Sequence, residues 1–266
     1  MGVVIKMNIV LSSTRQITPK PSIEKFPLHT HDNYEIICFL SGSADYSVEG
    51  NRYKLLPGDI MIMRTNESHH LIVKADVTYE RIIINFNFGD DPELNALLAP
   101  FNNREAGEKN LYRPSLLKES NLIFCLKKLS ATQDPTRKFC WLLPFLEELN
   151  CIFESGKPYE APTKDKTTHI ISYINDHLAE DISLTSIAEE FFISQNHLNR
   201  LFKESTGTTL WDYVTLKRLI LARDKLSLGE KPTEIYRDSG FNDYATFFRA
   251  YRKHFGVSPK ASKVKI

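Results

Sequence analysis

The sequence predicts an α+β chain of two domains, in which a β-barrel or β-sandwich precedes an all-helical domain. Short runs of strand-forming residues follow one another closely between about residues 35 and 86, and this spacing is typical of barrels and sandwiches. From Thr168 onward apolar residues recur instead at the spacing of amphipathic helices. A length of 266 residues is sufficient for two such domains.

Composition places the chain among ordinary globular proteins, with 42% hydrophobic and 25% charged residues. No uncharged apolar run reaches about 18 residues, so no membrane span is predicted. The N-terminal stretch MGVVIKMNIV lacks the layout of a cleavable signal, which favours the cytoplasm. Four cysteines lie in apolar surroundings without a close pair, and are predicted to be buried, reduced thiols. They are Cys38, Cys125, Cys140 and Cys151.

The first half of the chain contains the strand candidates, followed by helix candidates. The predicted strands are 36–40, 46–48, 60–63, 71–73 and 82–86, with a turn at 49–51. After Gly89 the pattern is helical, and the predicted helices are Pro92–Phe101, Ser115–Leu129 and Lys138–Phe153. Pro144 is expected to kink or interrupt the last of them. The helices between Ser115 and Phe153 are candidates for a homodimer contact.

Residues Glu154–Thr167 contain Gly156, Pro158 and Pro162 and show no apolar periodicity, which predicts an interdomain linker. The predicted organisation is therefore a first domain at 1–153, with its barrel at about 20–90 and its helices at about 92–153. A linker at 154–166 and a second domain at 167–266 follow.

The second domain begins with a pattern typical of a helix-turn-helix. An amphipathic helix is predicted from Thr168 to Asp181. Ser183 then caps a helix at Leu184–Phe191, and Ser194 caps the next one at Gln195–Thr206. The small Ala188 lets these last two helices cross closely.

The same pattern recurs further along the chain. A long helix at about Thr209–Leu228 leads to a short helix that starts at Pro232 and ends at Gly240. A second helix of this unit is predicted at Asp243–His254, and Gly256 and Pro259 close it. Its predicted buried side chains are Phe247, Phe248 and Tyr251.

The outward faces of the two second helices carry side chains that suit nucleic-acid contacts. Gln, Asn and Arg make paired hydrogen bonds to adenine or guanine edges in the major groove. A polar face of a single helix is more often a merely solvated surface, but two such faces in one repeated pattern favour DNA reading. The first set is Gln195, Asn196, His197, Asn199, Arg200 and Lys203; the second is Tyr244, Thr246, Arg249, Arg252 and Lys253.

Over about Thr168–Lys260 the sequence resembles the AraC/XylS family of bacterial transcription regulators. The residues that carry the resemblance are Gly240-Phe241, Tyr244, Phe247-Phe248, Lys253, Phe255-Gly256 and Ser258-Pro259. The resemblance implies seven helices and two recognition helices that enter the major groove of double-stranded DNA about 34 Å apart. A homodimer is also predicted, with RNA polymerase as a further partner if the protein activates transcription.

Carried over by position, the resemblance assigns roles to individual residues. Base readers are Asn196, His197 and Arg200 in the first unit, and Tyr244, Thr246 and Arg249 in the second. Lys203, Arg252 and Lys253 are assigned to phosphates. Asp243 is assigned to a helix cap.

In the first domain, His29-x-His31, Glu35 and Gly42 resemble the first motif of a cupin, a jelly-roll barrel. A second cupin motif runs from Gly58 to His69, but Arg64, Asn66 and Val73 stand where that motif has other residues.

Two interpretations of this region stay open. His29, His31, Glu35 and His69 offer three imidazoles and one carboxylate to a transition metal such as Zn, Cu, Fe or Ni. Resemblance to the sensor domains of the regulator family instead favours a metal-free pocket for a small effector such as a sugar, with no cofactor. Further candidates for that pocket are Tyr34, Tyr46, Arg64 and Arg81. Alternation does not show which strand residues point inward.

The sequence thus predicts a DNA-binding transcription regulator with a small-molecule sensor, and no enzyme. One alternative is a metal-dependent cupin enzyme, which leaves the two DNA-reading units without a purpose. The other is an effector-independent DNA-coating protein, which requires a strongly basic chain. The net charge of +1 argues against that alternative.

Overall fold

The computed structural model describes residues 10–73, 77–89, 92–156 and 159–264. The chain forms two compact units, Met1–Lys164 and Asp165–Ile266. The predicted apolar start before Val10 and Pro158 of the predicted linker lie outside the described residues. Within the described ranges, no helix has both the length and the apolar composition that a membrane span requires.

Two antiparallel sheets build the first unit. Its described strands are β1 (Val10–Thr18), β2 (Tyr34–Ser41), β3 (Ala44–Val48), β4 (Asn51–Lys54), β5 (Ile60–Met63), β6 (His69–Val73), β7 (Tyr79–Asn87) and β8 (Leu111–Tyr112). One sheet has the order β1-β7-β2-β5-β8, and the other has the order β4-β3-β6. The predicted strand runs are confirmed. Strands β1, β4 and β8 were not predicted, because β1 is mostly polar, β4 is short and contains three polar residues, and β8 has only two residues.

Both faces of the larger sheet are buried, which explains why its strands contain unbroken apolar runs. Ile36 and Cys38 of β2 face a core that the following helices cover. Ile37 and Phe39, which alternate with them, face a second core shared with the smaller sheet. Because side chains alternate between the faces of a strand, Glu35 lies on the same face as Ile37 and Phe39.

The helices of the first unit are α1 (Pro92–Asn95), α2 (Ala99–Asn102), α3 (Pro114–Leu117), α4 (Leu122–Ala131) and α5 (Pro135–Glu154), with short 3-10 turns at Ile23–Lys25 and Ala96–Leu98. The single helices predicted at 92–101 and 115–129 were wrong, since each is broken into shorter pieces. Pro144 was expected to kink or interrupt the last of these helices; it does not interrupt α5, which continues through it. Burial of Phe145 and Leu146 against the sheet offsets the hydrogen bond that Pro144 cannot donate.

Part of the predicted linker lies against the first unit. Arg113 donates from Nε and Nη2 to the Glu160 carboxylate at 2.6 and 2.7 Å. Thr163 forms an isolated antiparallel bridge with Arg52, with N–O distances of 3.0 and 2.8 Å. The Tyr159 ring stacks edge-on against Tyr112. Residues 159–163 are therefore fixed to the barrel and are not a free tether.

The cysteines divide into two pairs. Cys38 and Cys125 are buried thiols, as predicted. Cys140 and Cys151 are exposed, so the prediction was wrong for these two. Their apolar neighbours in sequence face the core from α5, whereas the helical period turns both thiols away from it.

The second unit is helical, with α6 (Lys166–Asp176), α7 (Leu184–Glu190), α8 (Gln195–Thr206), α9 (Leu210–Ser227), α10 (Pro232–Asp238), α11 (Tyr244–Phe255) and a 3-10 turn at Ala261–Val264. The predicted fold class is confirmed. Helix α6 ends at Asp176, five residues before the predicted end. There the His177 N–H bonds to the carbonyls of both Tyr173 and Ile174, and the helix does not continue.

Candidate functional site

Helices α8 and α11 have the same local design. The Ser194 hydroxyl accepts a hydrogen bond from the His197 N–H at 3.2 Å, and the Asp243 carboxylate accepts one from the Thr246 N–H at 2.8 Å. These caps satisfy backbone donors that otherwise have no partner in the first turn. A left-handed glycine ends each helix. The two predicted recognition helices thus begin and end at equivalent positions.

Most of the predicted DNA-contacting side chains are exposed. This group comprises Gln195, Asn196, Arg200, Lys203, Thr246, Arg249, Arg252 and Lys253. The remaining three, His197, Asn199 and Tyr244, are half-buried. Tyr244 packs edge-on against Tyr236 at 5.8 Å between ring centroids, which corrects its predicted full exposure. Phe247 and Tyr251 are buried as predicted, but Phe248 is only half-buried.

One arginine in each predicted recognition helix contacts a side chain one turn earlier. Arg200 lies with Nη2 at 3.3 Å from His197 Nδ1, and Arg249 donates from Nη2 to Thr246 Oγ1 at 3.2 Å. In both helices the pair occupies the third and sixth positions. Both guanidinium groups stay exposed, so their remaining donors face solvent.

In the first unit, the structure brings together three histidines from two distant segments. His29 and His69 form an isolated antiparallel bridge, with N–O distances of 3.1 and 3.0 Å. The ring centroids of His31 and His69 lie 4.9 Å apart. One nitrogen from each of the three rings lies within 4.8 Å of the other two. His69 is fully buried, His31 is half-buried and His29 is exposed.

The fourth predicted member, Glu35, points into the same cluster. Its Oε2 lies 3.1 Å from His69 Nε2 and 3.4 Å from His31 Nε2. Burial opposes the charged carboxylate, but hydrogen bonds from His31 and His69 outweigh it and lower the pKa of Glu35. For His31 burial likewise opposes the charge, and the bond to Glu35 outweighs it and raises the pKa.

His29 has the opposite tendency. Although its side chain reaches solvent, desolvation by its neighbours, followed by the nearby charge of His69, lowers the pKa of His29 to about 4. The His29 imidazole is therefore neutral near pH 7, the form that binds metals. The cluster combines a carboxylate, two imidazoles beside it and a neutral imidazole at its rim.

Tyr46 lies beside this cluster, and Arg81 lies near Tyr46. The Tyr46 ring stacks on His69 with centroids 6.0 Å apart. Arg81 lies over the Phe26 and Tyr79 rings at 5.0 and 5.4 Å. Among the described residues, the Tyr79 hydroxyl and Arg81 Nε are buried without a well-aligned hydrogen bond. This region offers aromatic faces and polar atoms to a small polar molecule.

Two predicted pocket residues lie elsewhere. The Tyr34 ring stacks on Phe86 and contacts Phe101 edge-on, on the opposite sheet face from Glu35. Arg64 donates from Nη1 to the Arg104 carbonyl at 3.3 Å, and no contact with the histidines is described for it. Alternation along β2 separates Tyr34 from Glu35 although they are adjacent in sequence.

The sequence did not reveal the residues that support His69. Glu67 and Arg104 form a buried two-point ion pair, with both N–O distances 2.7 Å. Glu67 also accepts from the Gly107 N–H at 2.8 Å. Burial opposes the Glu67 charge, but Arg104 outweighs it and lowers the pKa. Glu67 stood within the second predicted motif, whereas nothing in the sequence pointed to Arg104 as its partner.

Comparison with known proteins agrees with this arrangement. Residues 187–263 match the family described as Helix-turn-helix domain, and residues 20–96 match the AraC-like ligand binding domain. The chain belongs to the AraC/XylS family. It is an AraC-type DNA-binding transcription regulator with an N-terminal ligand-binding domain.

The curated relatives align over nearly their whole length. The HTH-type transcriptional activator RhaS of Escherichia fergusonii is 27% identical over 259 residues, covering 92% of this chain and 90% of the relative. RhaS of Mannheimia succiniciproducens is 26% identical over 254 residues, with 93% of each chain covered. A solved AraC-type regulator from Chromobacterium violaceum is 30% identical over 38% of this chain and 90% of its own, with a TM-score of 0.36.

Proposed function

We propose that α8 and α11 of this regulator read two elements of one operator, about one helical turn apart. The observation that carries the proposal is the exposed arginine at the sixth position of both helices, oriented in each by the third residue. The guanidinium group of an arginine forms two hydrogen bonds to one guanine. An arginine side chain that is already oriented loses less conformational entropy when it forms them.

The other side chains divide by position. Asn196 and His197 support Arg200 in reading the first element, and Tyr244 and Thr246 support Arg249 in reading the second. Gln195 donates from Nε2 to Thr185 Oγ1 of the preceding helix at 2.9 Å. Together with Asn199 it contacts the edge of the first element. Lys203, Arg252 and Lys253 neutralise phosphates, which adds affinity for any sequence.

We further propose that a small polar metabolite such as a sugar binds beside Tyr46 and Arg81. Aromatic ring faces together with hydrogen-bonding groups are what a polyhydroxylated ligand requires. The relatives are named as activators, so the chain is proposed to activate transcription with RNA polymerase as a partner, in the cytoplasm and without catalysing a reaction.

The proposed homodimer uses α4 and α5. Phe124 of α4 is 52% exposed and packs edge-on against Trp141 of α5 at 5.6 Å. Exposed aromatic side chains are common anchors of protein interfaces. Effector binding then favours the dimer arrangement for which the effector has the higher affinity.

The test is to capture sheared genomic DNA on the purified protein at a stated salt concentration and to sequence what is bound. Wild type is expected to enrich a site with two elements about one helical turn apart. Arg200→Ala and Arg249→Ala are each expected to relax one element at a cost of about 1–3 kcal/mol.

Arg15→Ala is the matched control, since it removes an exposed arginine from the first unit and is expected to bind as wild type does. Featureless enrichment by wild type, or equal binding by both recognition-helix variants and the control, contradicts the proposed base readers. The effector arm measures the melting temperature of wild type and Arg81→Met with a panel of monosaccharides. A sugar that stabilises wild type alone supports the pocket.

A further inference from the structure

Strand β1 gives the two faces of the larger sheet different side chains at its edge. On the face toward the helices, Leu11 packs against the core and Ser13 is buried. The opposite face, which looks into the barrel, is the face that carries Arg81 of β7, because residues paired across two strands share a face. There β1 presents three exposed polar side chains, which are Ser12, Thr14 and Gln16. The inner face of the sheet therefore ends in an open polar stripe.

Arg81 stands directly beside this stripe, opposite Gln16 in the strand register. It donates from Nη2 to Gln16 Oε1 at 3.2 Å. Its guanidinium group also lies over the rings of Phe26 and Tyr79, at 5.0 and 5.4 Å from their centroids. Its Nε is buried and has no well-aligned hydrogen bond among the described residues. The side chain is thus held in place by neutral groups.

The acidic side chains of the neighbouring chain segments are engaged with other partners. Glu80, adjacent to Arg81 in sequence, points to the opposite face of the sheet and accepts from Arg15 Nε at 2.6 Å. Glu35 shares the inner face with Arg81, but its carboxylate contacts two histidines of the cluster. Within the described part of the chain, no ion pair of Arg81 is found. A cation shielded from water on one side and lacking an acidic partner favours an anionic ligand.

We infer that the effector is a sugar acid, whose carboxylate pairs with Arg81 and whose hydroxyl groups contact the polar stripe. This inference rests on the proposed effector pocket and specifies the ligand of that pocket. A guanidinium group bonds both oxygens of one carboxylate, and its contact with two aromatic rings orients it before the ligand arrives. One arginine matches the single charge of a carboxylate, whereas a phosphate ester carries roughly −1.5 to −2 at pH 7.

The polar stripe supplies the remaining contacts. Residues on one face of a strand are about 7 Å apart along the chain, so Thr14 is the first hydroxyl group beyond the pair of Gln16 and Arg81. Hydroxyl groups both donate and accept hydrogen bonds, which is what sugar hydroxyl groups require. Phe26, a half-buried ring at the open side, offers an apolar surface to the sugar ring. Arg81 thus selects the charge of the ligand, and Thr14 contacts its neutral part.

The experiment compares matched ligands by calorimetric titration and thermal unfolding of the full-length protein. The acids are D-galacturonate, D-glucuronate and D-mannuronate, and the neutral counterparts are D-galactose, D-glucose and D-mannose. Each pair differs only in the exocyclic carbon, which is a carboxylate in the acid and CH₂OH in the sugar. Wild type is expected to bind at least one acid about tenfold or more tightly than its neutral counterpart, because a hydrogen bond to a charged group is the stronger one. D-glucose-6-phosphate is the phosphate arm.

Two variants separate recognition of the charge from recognition of the sugar. Arg81→Met keeps the apolar stem and is expected to abolish the preference for the acid. Thr14→Val keeps the strand propensity but removes the hydroxyl group, and is expected to weaken acid and neutral sugar alike, by roughly threefold to tenfold. Arg15→Met is the matched control, since it removes the same charge from the opposite face of β1 and is expected to bind as wild type does.

Circular dichroism and operator capture verify that each variant is folded. The inference is overturned if no acid binds wild type, if D-glucose-6-phosphate binds more tightly than every acid, or if Arg81→Met keeps the preference for the acid. A neutral sugar that binds as tightly as its acid also overturns it, but leaves the proposed sugar pocket standing. DNA reading is measured separately, by operator capture without any ligand.

Discussion

The two helix-turn-helix units of the second domain reach the same turn with different residues. After the C-cap of the first helix of each unit, the backbone is left-handed, at Phe192 with φ 54° and at Gly240 with φ 82°. Phe192 is 95% exposed. At Gly240 an added Cβ would lie 2.2 Å from the Leu178 carbonyl oxygen and 2.4 Å from Arg218 Nε. The left-handed turn is compatible with a side chain, as Phe192 shows. The atoms around Gly240 leave no room for one.

The difference follows from what packs on each turn. Arg218 of α9 donates to the carbonyls of Leu178 and Glu180 at 2.9 and 2.8 Å. It thereby ties the segment after α6 to the second turn, directly beside Gly240. Among the described residues nothing comparable covers the Phe192 ring, which is 95% exposed. Glycine is thus required by close approach in one unit and is optional in the other.

Gly240→Ala is expected to have the largest effect, a loss of about 3 kcal/mol from the unfolding free energy of the second unit. It combines left-handed strain with a clash against backbone. The measurement is urea unfolding in a Trp141→Phe background, so that Trp211 alone reports. Gly256→Ala is the matched control, because Gly256 is also left-handed but has no atom within 4 Å of an added Cβ. A loss of only about 1 kcal/mol is expected there.

Arg218→Met is expected to have the next largest effect, a loss of about 2–3 kcal/mol from the unfolding free energy of the second unit. The substitution keeps the apolar stem but leaves the carbonyls of Leu178 and Glu180 without their charged donor. Trp211 fluorescence reports it directly, since Arg218 lies 5.7 Å over that ring. Equal losses from Arg218→Met and from Lys217→Met, its neighbour on α9, would contradict the tie between α9 and the second turn.

The caps of the two recognition helices differ in how they respond to pH. Hydrogen bonds to the Thr246 hydroxyl and N–H lower the pKa of Asp243. The ionised Asp243 cap therefore contributes its full stabilisation above the pKa of an unfolded aspartate, about 3.9. This stabilisation is lost as the pH falls through the lower pKa of Asp243 in the folded protein. The stability difference between wild type and Asp243→Asn is expected to shrink as pH falls toward 3.

Ser194 does not titrate in this range. Ser194→Ala is expected to cost about 1 kcal/mol, and urea unfolding at pH 7 and pH 3.5 should give the same difference from wild type. A pH-dependent effect of Ser194→Ala, or a pH-independent effect of Asp243→Asn, would show that the caps do not differ as proposed.

Phe192→Gly has the smallest expected effect, an increase of about 0.5 kcal/mol in the unfolding free energy of the second unit. Relief of left-handed strain exceeds the extra unfolded-chain entropy of glycine by a small margin. The same urea experiment measures it, and operator capture is expected to be unchanged. A clear loss of stability would mean that Phe192 makes a stabilising contact that its exposure does not reveal.

The sequence alone determined the second unit almost completely. Helix α8 has the predicted bounds, and Ser183, Ser194 and Asp243 cap helices as expected. These features are local, since caps and helical periodicity depend on residues three or four positions apart. The sequence also identified His29, His31, Glu35 and His69 as a set, because a known motif links them.

The tertiary structure alone decided which side chains meet. It placed Tyr34 and Glu35 on opposite sheet faces, paired Glu67 with Arg104, and set Arg218 against Gly240. It also brought Nε2 of His31 and Nε2 of His69 within 3.4 Å of one carboxylate oxygen of Glu35. The two pairings join residues far apart in the chain, and both faces of the larger sheet pack against apolar cores, so no local pattern predicts which side chains meet. Periodicity shows that a face is buried, but only packing shows what lies against it.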